Sequence, residues 1–142
     1  MTEPTGFELH PGLAADTMEI GRLGLSRVLL MNDARFPWLV LVPEREGMVD
    51  LVDLAPSDHH RLTDEIRHAC EALRALFRPD KLNVAALGNV VPQLHVHVIA
   101  RYRGDAAWPR PIWTVGTAVP YPPDEETARL QQLRTALGIP NP

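Results

Sequence analysis

Cysteine pairs, an excess of basic residues and long apolar runs are the features that this sequence lacks. A single cysteine, Cys70, excludes an intramolecular disulfide and any zinc site built from several cysteines. The formal net charge of −4 comes from mixed charges without runs of one sign, which argues against a broad nucleic-acid-binding surface. No apolar run approaches the roughly 18 residues of a membrane span. We therefore expect neither a nucleic-acid partner nor a membrane partner.

The start of the sequence also lacks the pattern of a secretory signal, because no basic start is followed by an apolar stretch. We therefore expect a cytoplasmic protein. The 142 residues contain no repeats or low-complexity segments and suffice for one domain, 1–142, that buries roughly two thirds of its unfolded surface.

Five apolar segments have the length and composition of β-strands. They span residues 17–23, 25–31, 38–42, 81–87 and 93–99. The first three are joined by short turns, which predicts an antiparallel meander. A covering helix follows the third segment, because apolar positions recur at spacings of three and four from Leu62 to Phe77. Ser57 is the predicted cap of this helix, and Arg78 with Pro79 ends it.

The remaining segments complete an α+β fold, in which a mostly antiparallel five-stranded sheet is covered by one long helix. Residues 1–16 are expected to be irregular, and 102–142 form a C-terminal extension that ends in a short helix over 124–137. Within it, 108–113 is too rich in proline for a central strand and is expected to lie over a ligand or a neighbouring subunit. Helix periodicity places Cys70 in the core and three histidines on the helix surface. These are His59, His60 and His68.

Polar and apolar residues alternate strictly over 93–99, which is typical of a half-buried strand. Gln93, His95 and His97 then share one face, while the intervening residues enter a core. Histidines that only fill a half-buried site are one interpretation, and two imidazoles on one metal ion are another. Zinc usually needs a third or fourth ligand, and no Cys, Asp or Glu lies beside the segment. Nucleophilic attack on phosphorus is the third interpretation, since neutral imidazole is a good nucleophile near pH 7.

Residues 88–101 resemble the histidine triad (HIT) superfamily of nucleotide hydrolases and transferases. The superfamily pattern has three histidines alternating with apolar residues, preceded by Gly and an amide residue and followed by a small residue and Arg. Gly88, Asn89, His95, His97 and Arg101 match this pattern. The resemblance continues more loosely through 28–43 and the long helix, and it implies a HIT-like fold and a homodimer.

Gln93 stands in place of the first triad histidine, and this variant is similar to dinucleoside polyphosphate (diadenosine tetraphosphate) hydrolases. The resemblance implies that His95 attacks the α-phosphorus and forms a nucleotidyl-histidine, which water hydrolyses. His97 would donate to a phosphate oxygen or the leaving group, and the Gln93 carboxamide would hydrogen-bond an oxygen. A different acceptor would make the protein a nucleotidyltransferase, and loss of turnover through Gln93 would make it a nucleotide-binding regulator.

The resemblance also implies substrate-binding positions. Asn83 and Asn89 occupy places where relatives use an amide near the phosphates, and Asn32 occupies the place of a ribose contact. A structural turn role is the alternative for each asparagine. The resemblance implies no bound cofactor, although Mg²⁺ could arrive with the substrate.

Several further positions are candidates for the site. Leu25, Leu30 and Met31 could form an apolar slot for a purine or could be core residues. Trp38 stands near the place where many relatives carry another histidine, and Arg101 could bind phosphate or stabilise the fold.

Overall fold

The computed structural model describes residues 6–142 of the chain. These residues form five strands, three α-helices and one short 3₁₀ turn. The strands are β1 Thr17–Arg22, β2 Ser26–Met31, β3 Trp38–Pro43, β4 Lys81–Ala85 and β5 Val96–Arg101. The helices are α1 Pro11–Asp16, α2 Pro56–Phe77 and α3 Pro123–Leu137, and the 3₁₀ turn is Leu51–Asp53.

The strands form one sheet in the order β1-β2-β3-β5-β4, and each neighbouring pair is antiparallel. β5 therefore lies between β3 and β4, where His97 pairs with Val40 on one side and with Ala85 on the other. This sheet, the long helix α2 and the short helix α3 confirm the predicted α+β fold class.

Each face of the sheet packs against its own apolar core. The residues between the polar positions of the motif, Leu94, Val96 and Val98, enter the core formed with α2 and α3. Ile99 lies in the second core, with Leu13 of α1 and with Ile112 of the C-terminal extension. All six residues of β5 are consequently buried. The prediction of a half-buried strand is wrong, because alternation shows which residues share a face and not what covers that face.

Helix α2 starts one residue before the predicted cap. Pro56 occupies the first turn, where its fixed φ and missing N–H cost nothing, and Ala55 is the residue before it. Ser57 therefore lies inside the helix, and its prediction as the cap is wrong. Arg78 ends the helix in the left-handed conformation with φ of 46°, as the predicted stop requires.

Three further boundaries differ from the prediction. Residues 11–16 form α1 instead of irregular structure, since Pro11 begins the helix and His10 Nδ1 accepts the Gly12 N–H at 2.9 Å. β4 ends at Ala85, and β5 begins only at Val96, so the start of the motif is not strand. The part of the N-terminal prediction that concerns residues 1–5 lies outside the described residues.

The long helix confirms most of the predicted side-chain positions. Cys70 packs against the core, and His59 and His60 are exposed. His68 is not a free surface residue as predicted, because its Nε2 donates to the Leu137 carbonyl at 2.7 Å and links α2 to α3.

Arg101 is buried and stabilises the fold. Its guanidinium donates to both carboxylate oxygens of Asp105, at 2.8 and 3.0 Å, and to Asn83 Oδ1 at 2.9 Å. Asp105 also accepts backbone N–H groups of Tyr102 and Trp108. This buried ion pair fixes the start of the C-terminal extension against the second face of the sheet.

Among residues 6–142, no helix combines the length and the apolar composition needed to cross a bilayer.

Candidate active site

Two imidazole rings meet edge to face at the start of β5. The ring centroids of His95 and His97 are 4.9 Å apart, and their planes are inclined by 76°. The residues are 6% and 5% exposed, so the pair is mostly removed from water. His97 is fixed between β3 and β4, whereas His95 lies one residue before the strand begins.

His95 is held by its own backbone. Its Nδ1 lies 2.7 Å from the Gln93 carbonyl oxygen. A carbonyl oxygen can only accept, so Nδ1 carries the proton and Nε2 of the neutral ring keeps its lone pair. A ring held in this way presents an unprotonated nitrogen, which is the form that nucleophilic attack requires.

A cavity of about 290 Å³ adjoins His95. It is close in size to the small end of ligand pockets, roughly 300 Å³. Its walls come from the 3₁₀ turn, from the end of β4 and from the start of the motif, and they are mostly apolar. The lining residues are Val49, Asp50, Leu51, Val52, Ala86, Leu87, Gly88, Leu94 and His95. The histidine with the available lone pair therefore borders a space that can admit part of a ligand.

His97 has a different hydrogen bond. The indole Nε1 of Trp38, the first residue of β3, donates to His97 Nδ1 at 3.0 Å in a buried contact. Trp113 of the C-terminal extension packs its ring edge to face with His97, with 5.0 Å between centroids. Burial, and secondarily the neighbouring His95 charge, lower the pKa of His97 from 6.5 to about 4. His97 is therefore neutral at pH 7.

Trp113 is a site residue that the sequence did not identify individually. The proline-rich segment around it was predicted to lie over a ligand or a neighbouring subunit, and in the structure it lies beside the histidine pair. The next residue, Thr114, has φ of 66°, a strained conformation for a β-branched side chain. The sequence signal for this site is weak, because no local pattern shows that Trp38 and Trp113 lie close together in the fold.

Gln93 uses both ends of its carboxamide on the N-terminal segment. Oε1 accepts the His10 backbone N–H and Nε2 donates to the Glu8 carbonyl, each at 2.8 Å. These two hydrogen bonds hold residues 8–10 beside the site. Its role toward a phosphate oxygen stays a prediction.

The three asparagines lie in different surroundings. Asn89 is exposed in the turn after Gly88. The Asn83 amide oxygen accepts from Arg101, and Asn32 Oδ1 accepts the Tyr121 N–H at 2.9 Å. The substrate-binding role of each stays a prediction.

A second cavity, of about 430 Å³, lies between α1, the end of β2 and the C-terminal extension. Asn32, Met31, Trp38 and Trp113 all line it, so it adjoins the residues that contact His97. Leu25 and Leu30 are buried in the core on the α2 side, which supports the core alternative for these two residues.

An ion pair forms the polar wall of the second cavity. Burial acts to raise the pKa of the Asp33 carboxyl, but hydrogen bonds from the Arg35 side chain and from the backbone of Arg35 and Val119 hold the pKa below its ordinary value. Asp33 therefore stays ionised, and Arg35 Nη1 also donates to the Val115 carbonyl at 2.7 Å. These contacts fix the segment that carries Trp113.

In the part of the chain described, no group of three or more His, Cys, Asp or Glu is placed to hold an ion.

The motif, the antiparallel sheet and the paired histidines agree with a known family. The family model for the HIT domain matches residues 14–104. The chain belongs to the HIT family. Among solved structures, it is similar to HIT proteins from three bacteria. The protein from Bradyrhizobium japonicum is 46% identical, and the match covers 92% of this chain and 98% of that chain with a TM-score of 0.90. The protein from Sinorhizobium meliloti is 42% identical, and the match covers 93% of this chain and 98% of that chain with a TM-score of 0.91. The protein from Marinobacter aquaeolei is 45% identical, and the match covers 93% of this chain and 96% of that chain with a TM-score of 0.91.

These HIT proteins share the fold over nearly the whole chain, including most of the C-terminal extension that lies beyond the family match. Among curated proteins, none matches the sequence at a significant level.

Proposed function

We propose that this HIT protein is a nucleotide phosphohydrolase that acts at the α-phosphorus through a nucleotidyl-His95 intermediate. The proposed substrates are a dinucleoside polyphosphate, such as diadenosine tetraphosphate, or a nucleoside phosphoramidate. The observation that carries the proposal is the His95 hydrogen bond, because donation from Nδ1 to the Gln93 carbonyl leaves a lone pair on Nε2. That ring borders a cavity, as a nucleophile must.

The reaction has two displacement steps. The Nε2 lone pair forms a bond to the α-phosphorus, and the bond from phosphorus to the bridging atom breaks with its electron pair on the leaving group. The phosphorylated ring is a cation, and the Gln93 carbonyl oxygen at 2.7 Å stabilises its Nδ1–H. Water then forms a bond to phosphorus, the P–N bond breaks with its electrons returning to Nε2, and one proton leaves to solvent. The products are a nucleoside monophosphate and free His95.

The second cavity is the proposed nucleoside site. Trp38, Trp113 and Met31 offer apolar and aromatic surface for a base, and Asn32 offers a side-chain amide for ribose. Asn83, Asn89 and the backbone of the Gly88 turn are the proposed phosphate contacts, with His97 and Gln93 completing the catalytic group. These assignments extend the family resemblance to individual positions of this chain.

Trapping of the covalent intermediate tests the proposal. The protein is mixed with adenosine-labelled diadenosine tetraphosphate and quenched, and the labelled residue is located by mass spectrometry. Label is expected on His95 and should be lost in His95→Ala. His60→Ala is the matched control, because His60 is an exposed histidine of α2. Tight AMP binding without any adduct would contradict the proposal and indicate a nucleotide-binding regulatory protein.

The acceptor of the nucleotidyl group in the second step decides whether the protein is a hydrolase or a nucleotidyltransferase. Added inorganic phosphate or a sugar phosphate competes with water for the nucleotidyl group. Products that contain the nucleotide joined to the added acceptor would identify a nucleotidyltransferase, whereas AMP alone identifies a hydrolase.

The proposed reaction needs no cofactor held by the chain, because imidazole attack does not require a metal. Mg²⁺ would enter with the polyphosphate. Formation of the His95 adduct from a phosphoramidate should therefore survive strong chelation. Loss of the adduct that only zinc restores would support a metal site instead.

Assembly and location complete the proposal. β4 is an edge strand with Val84 47% exposed, and we propose that a second copy of the chain covers this edge to give a homodimer. A cytoplasmic location is proposed as well, and cell fractionation tests it.

A further inference from the structure

The hydrogen bond between Trp38 and His97 determines where the imidazole proton lies. Trp38 Nε1 is 3.0 Å from His97 Nδ1, and both side chains are buried. An indole N–H can only donate, so Nδ1 must accept and cannot carry a proton. The single proton of the neutral ring is therefore on Nε2.

The two histidines consequently have opposite tautomers. His95 carries its proton on Nδ1 and has a lone pair on Nε2, because its partner is a carbonyl. His97 has a lone pair on Nδ1 and carries its proton on Nε2, because its partner is an N–H. One ring is thus fitted to attack and the other to donate a hydrogen bond.

We infer that Trp38 fixes His97 as a neutral hydrogen-bond donor that cannot protonate the leaving group, so that the site favours leaving groups that depart as stable anions. The leaving-group part of this inference rests on the proposed function. Trp38 is a positioning residue here, since it acts through His97.

Proton transfer from His97 is blocked by the charge of the product. If Nε2 gave up its proton, the ring would become an imidazolate, because Nδ1 has no proton and Trp38 keeps its own. An imidazolium could transfer a proton, but a second proton on Nδ1 would face the indole N–H at 3.0 Å. His97 can still stabilise charge that develops on an oxygen, through the Nε2–H hydrogen bond.

The surroundings of His97 oppose protonation from the other sides as well. β3 contributes Trp38 and Val40, β4 contributes Ala85, and the C-terminal extension contributes Trp113. None of these side chains carries a charge. His95 is the ionisable neighbour, and its positive form lowers the pKa of His97 further.

The inability of neutral His97 to protonate a leaving group distinguishes the two proposed substrate types. With diadenosine tetraphosphate, attack by His95 Nε2 breaks the P–O bond and the electron pair leaves on ATP, a weakly basic anion that needs no proton. With adenosine 5′-phosphoramidate, the P–N bond breaks and the nitrogen needs a proton to leave as ammonia. A neutral His97 does not supply that proton, so the polyphosphate is the favoured substrate class.

Nitrogen NMR on the wild-type protein tests the tautomer without reference to activity. Long-range ¹H–¹⁵N correlations of the imidazoles distinguish protonated from unprotonated ring nitrogens. His97 is expected to show an unprotonated Nδ1, a protonated Nε2 and a scalar coupling between Nδ1 and Trp38 Nε1. A protonated Nδ1 would overturn the inference even if the enzyme turns over.

Trp38→Phe tests the role of the indole N–H, since it keeps an aromatic ring and removes the donor. Trp113→Phe is the matched control, because the Trp113 ring packs edge to face with the same imidazole. Trp38→Phe should mix the His97 tautomers, and Trp113→Phe should leave them as in the wild type. Unchanged tautomers in a folded Trp38→Phe protein would contradict a positioning role.

The ratio of kcat/KM for diadenosine tetraphosphate and adenosine 5′-phosphoramidate tests the leaving-group conclusion. In Trp38→Phe the ratio should move toward the phosphoramidate by roughly tenfold or more, because a general acid contributes about 10²–10⁴-fold. Trp113→Phe, which alters the proposed base site, should change both kcat/KM values alike, because both compounds carry adenosine, and should therefore keep the wild-type ratio. A wild-type preference for the phosphoramidate would overturn this conclusion. If neither compound labels His95, the proposed function fails and the leaving-group conclusion falls with it, while the tautomer measurement still decides the role of Trp38.

Discussion

Acidification should reduce the free energy of unfolding through His97. In the folded protein the pKa of His97 is lowered to about 4, whereas its ordinary value is 6.5. Between these values the unfolded chain binds a proton at this position and the folded chain does not. The stabilisation associated with neutral His97 is therefore complete above about pH 6.5 and is lost as the pH falls toward about 4.

The magnitude follows from the separation of the two pKa values. The difference of about 2.5 pH units, from 6.5 to about 4, corresponds to a full loss of about 3 kcal/mol at 1.36 kcal/mol per unit. Between pH 7 and pH 5 the loss amounts to about 2 kcal/mol. The effect of His97 is best isolated as a difference from a variant that lacks this imidazole.

His97→Asn is the variant of choice, because its amide oxygen can accept from Trp38 near the position of Nδ1. Urea unfolding followed by circular dichroism, at pH 7 and pH 5 and at one protein concentration, gives the free energy of unfolding of each protein. The wild type should lose about 2 kcal/mol more than His97→Asn on acidification. His60→Asn, which changes an exposed histidine, should follow the wild type. Equal losses in wild type and His97→Asn would refute the assignment of a buried, neutral His97.

Three further predictions concern contacts outside the histidine pair. Asp105→Ala should lower the free energy of unfolding by about 3–5 kcal/mol in urea titrations, because it leaves the buried Arg101 guanidinium without its carboxylate partner. Arg67→Ala, which removes an exposed ion pair, should lower it by at most about 1 kcal/mol. Gln93→Ala should increase amide hydrogen exchange at His10, and unchanged protection there would show that the carboxamide does not hold the N-terminal segment. Val84→Asp should shift the protein from dimer to monomer in light scattering, whereas a wild type that is already monomeric would rule out the proposed homodimer.

The fold was largely predictable because its signals are local. Spacing by two placed Leu94 and Val96 in one core, and spacing by three and four predicted α2 to within two residues of its start. Boundaries failed where a single residue overrode the pattern. Pro56 moved the beginning of α2 ahead of Ser57, and Pro11 turned an apparently irregular segment into α1.

The site was predictable only in part, since most of its contacts join distant segments. The family motif predicts His95 and His97 as site residues, and the structure places them together. The partners of His97 come from positions 38 and 113, and no periodicity connects them with the motif. The Gln93 carboxamide likewise contacts residues 8 and 10, a pairing that a local pattern does not encode.

The C-terminal extension makes the recognisable motif region an incomplete folding unit. Residues beyond the family match supply Ile112 to one core and Leu133 and Leu137 to the other. A recombinant fragment that stops at position 104 would therefore leave apolar surface bare on both sides of the sheet and should collect in inclusion bodies. Chimeras that exchange the motif between family members should carry this tail along with it, because the tail packs against both faces of the sheet.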